Sequence, residues 1–244
     1  MPSGPTVATY FNLLDRWRHF PSYRLEPHVD AFLALYLADV LAAHFDVDID
    51  TGIIPEFPLR LGTLAGGDDD GPNMSKHVDF VALSANTDTV YFVEVKTDQA
   101  SRSQGQDDYL KVAKKTGLEA LLGGLLRIAA ATTHHLKYGR LLVLLADLGL
   151  FDVPCALQEG GLPHRKLART ELLSQVSVSE KAKRMSIEIV YVQPSNPHSE
   201  TEVIDFPMFA SVIEGRGELG GLLAKMLMRW REGPGQCSDE VGAT

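Results

Sequence analysis

Hydrophobic positions in residues 26–45, EPHVDAFLALYLADVLAAHF, return at intervals of three and four: Val29, Phe32, Leu33, Tyr36, Leu37, Val40 and Leu41. That spacing lines one face of a helix, so a helix with one buried side is expected here. Residues 51–62, TGIIPEFPLRLG, read as an irregular strand, and Pro55 and Pro58 suit an edge or a bulge. The stretch 65–73 is a loop by composition. Two apolar, strand-like runs follow, HVDFVAL (77–83) and VYFVEVK (90–96), joined by the turn-like residues 84–89. From Gln104 to about Tyr138 the pattern is helical, with breaks at Gly117 and the Gly123-Gly124 pair. GRLLVLLADLGL (139–150) is a short continuous apolar run, the pattern of a strand covered on both faces.

The remainder predicts a basic helical segment near 163–183, an alternating strand at 186–194, and helix again near 206–231. Residues 233–244 read as a disordered tail. A long helical crossover from the strand at 90–96 to that at 140–147 would make the two parallel. The predicted class is α/β: a mixed central sheet flanked by helices. It is expected as one domain over 1–232, with a core at about 26–147 and a C-terminal elaboration at about 160–232.

Composition narrows the functions open to such a fold. A chain of 244 residues, 45% hydrophobic, is large enough for one substantial core. Its net charge of −9 and pI near 5.3 argue against binding nucleic acid by overall positive charge. Residues 163–185 differ locally, with Arg165, Lys166, Arg169, Lys181, Lys183 and Arg184 against Glu171 and Glu180. The ordinary meaning of such a run is a solvated surface. Cys155 and Cys237 are too far apart for a disulfide framework or zinc motif, and suit a reducing compartment. The N-terminus lacks a secretion signal, and Arg127 and Asp147 break the longest apolar runs. A cytoplasmic protein outside the membrane is the expectation.

The hairpin at 77–96 carries the candidate chemistry. Alternation puts Glu94 and Lys96 on one face of their strand, with Val93 and Val95 on the other. A turn centred on Asn86-Thr87, of two or four residues, gives a register in which paired residue numbers sum to 173. Asp79 then falls across from Glu94, with Cβ atoms about 5 Å apart. Directly opposed like charges are destabilising. A divalent cation between the carboxylates would reconcile them, since Mg²⁺ is typically held by one or two carboxylates with water and phosphate oxygens. A one-residue slip would instead place the acids on opposite faces.

An acid on one strand, Glu-x-Lys on the next, a helix before and a helix after: this pattern resembles the PD-(D/E)XK nuclease superfamily, the restriction-endonuclease-like fold. Asp79 matches the first acid, Glu94 the second and Lys96 the lysine, and the likeness runs from about Glu26 to Asp147. The resemblance implies an αβββαβ core and hydrolysis of DNA phosphodiesters with Mg²⁺ or Mn²⁺. It implies a metal held by Asp79, Glu94 and the Val95 carbonyl, and a water oriented by Lys96. The first-helix acid of that superfamily corresponds to Glu26, which reads equally well as a first-turn acid on the helix dipole; Asp30 is the alternative. Gln104, Gln106 and Tyr109 follow the lysine at a spacing that departs from the Gln-x-x-x-Tyr of RecB-type relatives. No proline precedes Asp79.

Phosphate affinity would then rest on the basic segment 163–185 with Arg102, Lys111, Lys114 and Lys115. A second copy of the chain is a further candidate partner, since similar proteins often dimerise. Two other readings stand beside the nuclease. One is a non-catalytic member of the same fold that binds nucleic acid or protein. The other is an unrelated α/β protein whose hairpin acids face solvent. Elsewhere His134-His135 is expected to finish a helix, where imidazoles favour the negative end of its dipole, and Tyr10, Phe11, Trp17, Phe20 and Trp230 in packing roles.

Overall fold

The computed structural model describes residues 4, 6–66, 73–98, 102–196 and 201–231. Most of the predicted loop at 65–73 and the whole predicted tail at 233–244 lie outside them. Along the chain run α1 (Val7–Trp17), α2 (Glu26–Phe45), β1 (Ile54–Arg60), α3 (Leu61–Leu64), β2 (Ser75–Leu83) and β3 (Thr89–Val95). Then come α4 (Gln104–Thr116), α5 (Leu118–Ala131), α6 (His135–Asp147), β4 (Phe151–Asp152), α7 (Cys155–Gly160) and α8 (Lys166–Leu173). The last are β5 (Ser177–Val178), α9 (Glu180–Arg184), β6 (Ser186–Gln193), β7 (Glu202–Asp205), α10 (Phe206–Ile213) and α11 (Gly217–Arg231).

Five strands form one mixed sheet in the order β1-β2-β3-β6-β7, and β4 and β5 form a separate antiparallel pair. β1 runs antiparallel to β2, and β6 parallel to β7. The Ser186 amide donates to the Asp88 carbonyl and the Lys96 amide to the Val192 carbonyl, both at 2.8 Å. Numbers rise together along both strands, so β6 runs parallel to β3. At the mouth of the β2–β3 hairpin the Ser84 amide donates to Thr89 O at 3.0 Å, the pairing that the predicted register requires. The loop between is the four-residue form, closed by the Thr87 amide on Ser84 Oγ at 3.1 Å. The two prolines of β1 lie on an edge strand, the position where a missing amide is best tolerated.

The packing divides into two compact units, and the division runs through β3 and β6. One unit comprises the described residues within Met1–Ile53, Val93–Ser103 and Ile189–Thr244; the other comprises those within Ile54–Phe92 and Gln104–Glu188. In the first, α2 buries Val29, Leu33, Leu37, Val40 and Leu41, the predicted face, and packs on α10. Asp46, in the left-handed region at φ 55°, ends it. α11 packs on α1, where buried Trp230 donates its indole N–H to Asp15 at 2.8 Å beneath the Arg18 guanidinium. In the second unit α5 packs on β1 and α8, and Gly124 admits Thr63 so closely that a Cβ there would collide with it.

Three expectations need correction. Residues 139–150 are not the crossover strand; most of them form helix α6, with Gly139, Leu142 and Leu145 buried at helical spacing. A continuous apolar run does not distinguish a strand from a helix, and here Leu136 and Leu144 are simply left exposed. The strand that returns to the sheet after the helical crossover is β6. His134 and His135 stand at the start of α6, not at the C-terminal end of a helix, so the favourable dipole contact expected of them is absent. Finally, α2 is long and apolar enough to cross a membrane by length and composition, contrary to the reading from broken apolar runs. Its buried face belongs to the packing of its unit, and its Asp39 pairs with Arg216 at 3.5 Å.

Candidate functional site

β3 is the middle strand of the five, and every residue from Val90 to Val95 is buried. A strand in that position is covered on both faces and should be apolar throughout. Glu94 breaks the rule. It is 0% exposed, and Lys96, two residues on and 7% exposed, places its ammonium 3.3 Å from Glu94 Oε2. Alternation along the strand brings the two side chains together, as expected. Removing two charges from water costs several kcal/mol each, so neither survives there without compensation from the other and from further hydrogen bonds. The reading in which both hairpin acids face solvent fails at Glu94.

Thr97, the next residue, is 3% exposed, and its hydroxyl donates to Glu26 Oε1 at 2.8 Å. Glu26 is the first residue of α2, half-buried, with Pro27 behind it pre-setting the backbone for the first turn. The consecutive stretch Glu94-Val95-Lys96-Thr97 therefore holds an internal ion pair and grips the predicted first-helix acid. Asp30, the alternative acid, lies one turn further along α2 and is also half-buried.

Asp79 belongs to the other unit. It is half-buried on β2, whose neighbours in the sheet are β1 and β3. The β1–β2 register pairs Pro55 with Phe80 and Phe57 with Val78, the residues that flank Glu56 and Asp79. Glu56 has a left-handed backbone, φ 51°, in the middle of a strand. Such a conformation costs a non-glycine residue on the order of 1–3 kcal/mol. The only hint of it in the sequence is the Pro-Glu-Phe-Pro context. On α4, the Tyr109 hydroxyl donates to His77 O at 3.0 Å and Gln104 to Asp108 at 2.8 Å, which ties the helix to β2 and to itself.

The predicted phosphate-binding cations are mostly engaged. Arg169 is buried and donates to the carbonyls of Ala130, Pro163 and His164 at 3.1–3.3 Å. Lys181 donates to Leu148 O at 3.1 Å, Lys183 pairs with Glu180 at 2.6 Å and Arg184 with Asp88 at 3.6 Å. Lys114 pairs with Glu188 at 2.8 Å, and Arg102 lies 4.0 Å over the Tyr191 ring. Arg165, Lys166, Lys111 and Lys115 are exposed. The packing roles hold for Phe11 and Trp230, which are buried, but not for Phe20, which is 55% exposed.

Among the described residues no three His, Cys, Asp or Glu side chains come close enough together to hold a metal ion. The donors that the family resemblance assigns are two carboxylates and a backbone carbonyl. These are hard oxygens of the kind Mg²⁺ and Mn²⁺ take, and Glu94, one of them, is fully buried with Oε2 already on the Lys96 ammonium. Comparison with protein-family models, with curated proteins and with solved structures finds no match to this chain.

Proposed function

We propose that this protein is a Mg²⁺- or Mn²⁺-dependent phosphodiester hydrolase acting on DNA, with Lys96, Glu94, Asp79 and Glu26 as its working residues. One observation carries the reading: a carboxylate and an ammonium are held together, out of solvent, on the central strand of a mixed sheet. Structure alone gives little reason for such a pair, because an apolar couple of similar volume is usually as stable or more so. Catalysis gives a reason. Lys96 has three donors to share, so one can stay on Glu94 while another orients a water or meets the charge that develops on a phosphate oxygen. Asp79, Glu94 and the Val95 carbonyl would hold the ion. When bound, it polarises the phosphate and lowers the pKa of water. Thr97 keeps the Glu26 carboxylate turned toward the strand that bears Lys96.

Purified protein should nick plasmid or degrade single-stranded DNA with Mg²⁺ or Mn²⁺ and not with EDTA. Asp79→Asn and Lys96→Ala, checked for folding by circular dichroism, should each lose at least a hundredfold in rate, the scale set by removing one preorganised electrostatic contact. Cleavage that persists in both variants refutes the site.

A second reading, a non-catalytic binding module of the same fold, has its own support. Glu94 and Lys96 neutralise one another, and the described residues contain no three-ligand group. Undiminished DNA binding with no cleavage under any metal would select it.

A further inference from the structure

The connection between α1 and α2, residues 18–25, leads directly into Glu26 and differs from every other basic stretch of the chain. From Arg16 to His28 the sequence interleaves cations with aromatics, RWRHFPSYRLEPH, and Glu26 is its sole acid. Arg18 is turned inward over Trp230, and burial lowers its pKa against the pull of Asp15 and Asp98. Arg16 and Arg24, in contrast, are exposed and make no ion pair or hydrogen bond among the described residues. The aromatics are ordered as a ladder. Trp17 meets Tyr23 edge-on at 5.9 Å, and the exposed His28 ring lies parallel to Tyr23, 5.1 Å away and tilted by 6°. Phe20 is 55% exposed in the turn between them. The Tyr10 hydroxyl, bonded to His28 O at 3.1 Å, steadies the outer ring of the stack from α1.

We propose that this connection is a landing surface for single-stranded nucleic acid. An unstacked base packs on Phe20 and the Tyr23–His28 stack, while Arg16 and Arg24 take flanking phosphates. Two features choose the occupant. In a chain of net charge −9 these two guanidinium groups stand outward and, among the described residues, uncompensated, so an anionic polymer is the complementary partner. Flat rings offered beside them suit a base with its face uncovered, which single strands have and duplexes hide. The proposal rests on the phosphodiesterase reading for its purpose: a strand held here enters at the residue, Glu26, that Thr97 ties to the Lys96 segment.

Binding is measured by fluorescence anisotropy in EDTA, where no cleavage follows, with labelled oligothymidylate and a duplex of equal length. The double substitution Phe20→Ala/His28→Ala should weaken oligothymidylate roughly tenfold, the effect of losing one base–aromatic stack, and leave duplex binding unchanged. Arg16→Ala/Arg24→Ala should flatten the slope of log affinity against log salt by about 1.4, from two lost phosphate contacts on a single strand. No binding of oligothymidylate, or an aromatic double variant that binds like the parent, overturns the proposal. Equal losses on single strand and duplex overturn it in favour of duplex docking. Cleavage assays separate its failure from that of the catalytic reading. Oligothymidylate binding that needs Phe20 and His28 in a protein that cleaves nothing leaves this surface standing without the enzyme. Cleavage that needs Lys96 but not Phe20 or His28 leaves the enzyme without this surface.

Discussion

Two cation-rich stretches, residues 16–24 and 163–185, look alike in composition and are used differently. In the second, Arg169, Lys181, Lys183 and Arg184 all turn to carbonyls or carboxylates of their own neighbourhood. In the first, Arg18 is turned inward while Arg16 and Arg24 remain on the surface beside exposed Phe20 and His28. A count of charges favours the longer run as a polyanion footprint; its exposed Arg165 and Lys166 equal Arg16 and Arg24 in number, and what sets the shorter stretch apart is the exposed Phe20 and His28 among its cations. A cation contributes to binding only to the extent that its donors are left over from folding, and Lys96, buried beside Glu94, commits one of its three to that carboxylate.

The largest test of that distinction is therefore Lys96. Lys96→Ala leaves a carboxylate buried without its ammonium, and equilibrium urea unfolding should register a loss of about 3–5 kcal/mol. The double variant Glu94→Gln/Lys96→Met removes both charges at similar volume and should recover most of that loss while remaining unable to cleave DNA. If Lys96→Ala unfolds like the parent, Glu94 does not depend on it, and the case for an assembled pair collapses.

Arg169 comes next. Its guanidinium satisfies three carbonyls at the junction of α5 and α8, so Arg169→Met should cost about 2–3 kcal/mol and speed amide hydrogen exchange in α8. Arg165→Met, four residues earlier and exposed, should change neither stability nor exchange. Similar effects from both would erase the line drawn between spent and spare cations.

What the sequence made legible follows the same physics. α2 could be read because its apolar spacing is periodic and its buried residues are those the period selects. The closing pair of the hairpin could be read because a short turn leaves few pairings, and Ser84–Thr89 is the one expected. The i, i+2 meeting of Glu94 and Lys96 follows from alternation alone. α6 could not be read, since an uninterrupted apolar run carries no period and only its neighbours decide between helix and strand. Thr97 and Glu26 are joined by tertiary structure across a long stretch of chain, and nothing in the sequence marks Thr97. The left-handed backbone of Glu56 was invisible because φ is not written in residue type. The fate of the basic segment was hidden for the same reason: carbonyl acceptors have no letter in a sequence.

The smallest effect belongs to Lys183, which marks the lower end of the scale. Its ammonium is 2.6 Å from Glu180, and both side chains are open to water. The hydrogen bond and charge of Lys183 lower the Glu180 pKa, and Glu180 raises that of Lys183 for the same two reasons. A depressed carboxyl pKa stabilises the fold above its unfolded value, and that gain disappears as pH falls through the folded one. A raised lysine pKa acts oppositely, its gain disappearing as pH rises through the folded value. Lys183→Met should thus lower the thermal midpoint, if at all, only between those limits and only at low salt, because solvent screens an exposed pair. A fall near neutral pH as large as that of Arg169→Met, surviving high salt, would mean that the 163–185 segment is held by its charges rather than by carbonyls. The contrast with residues 16–24 would then have to be redrawn.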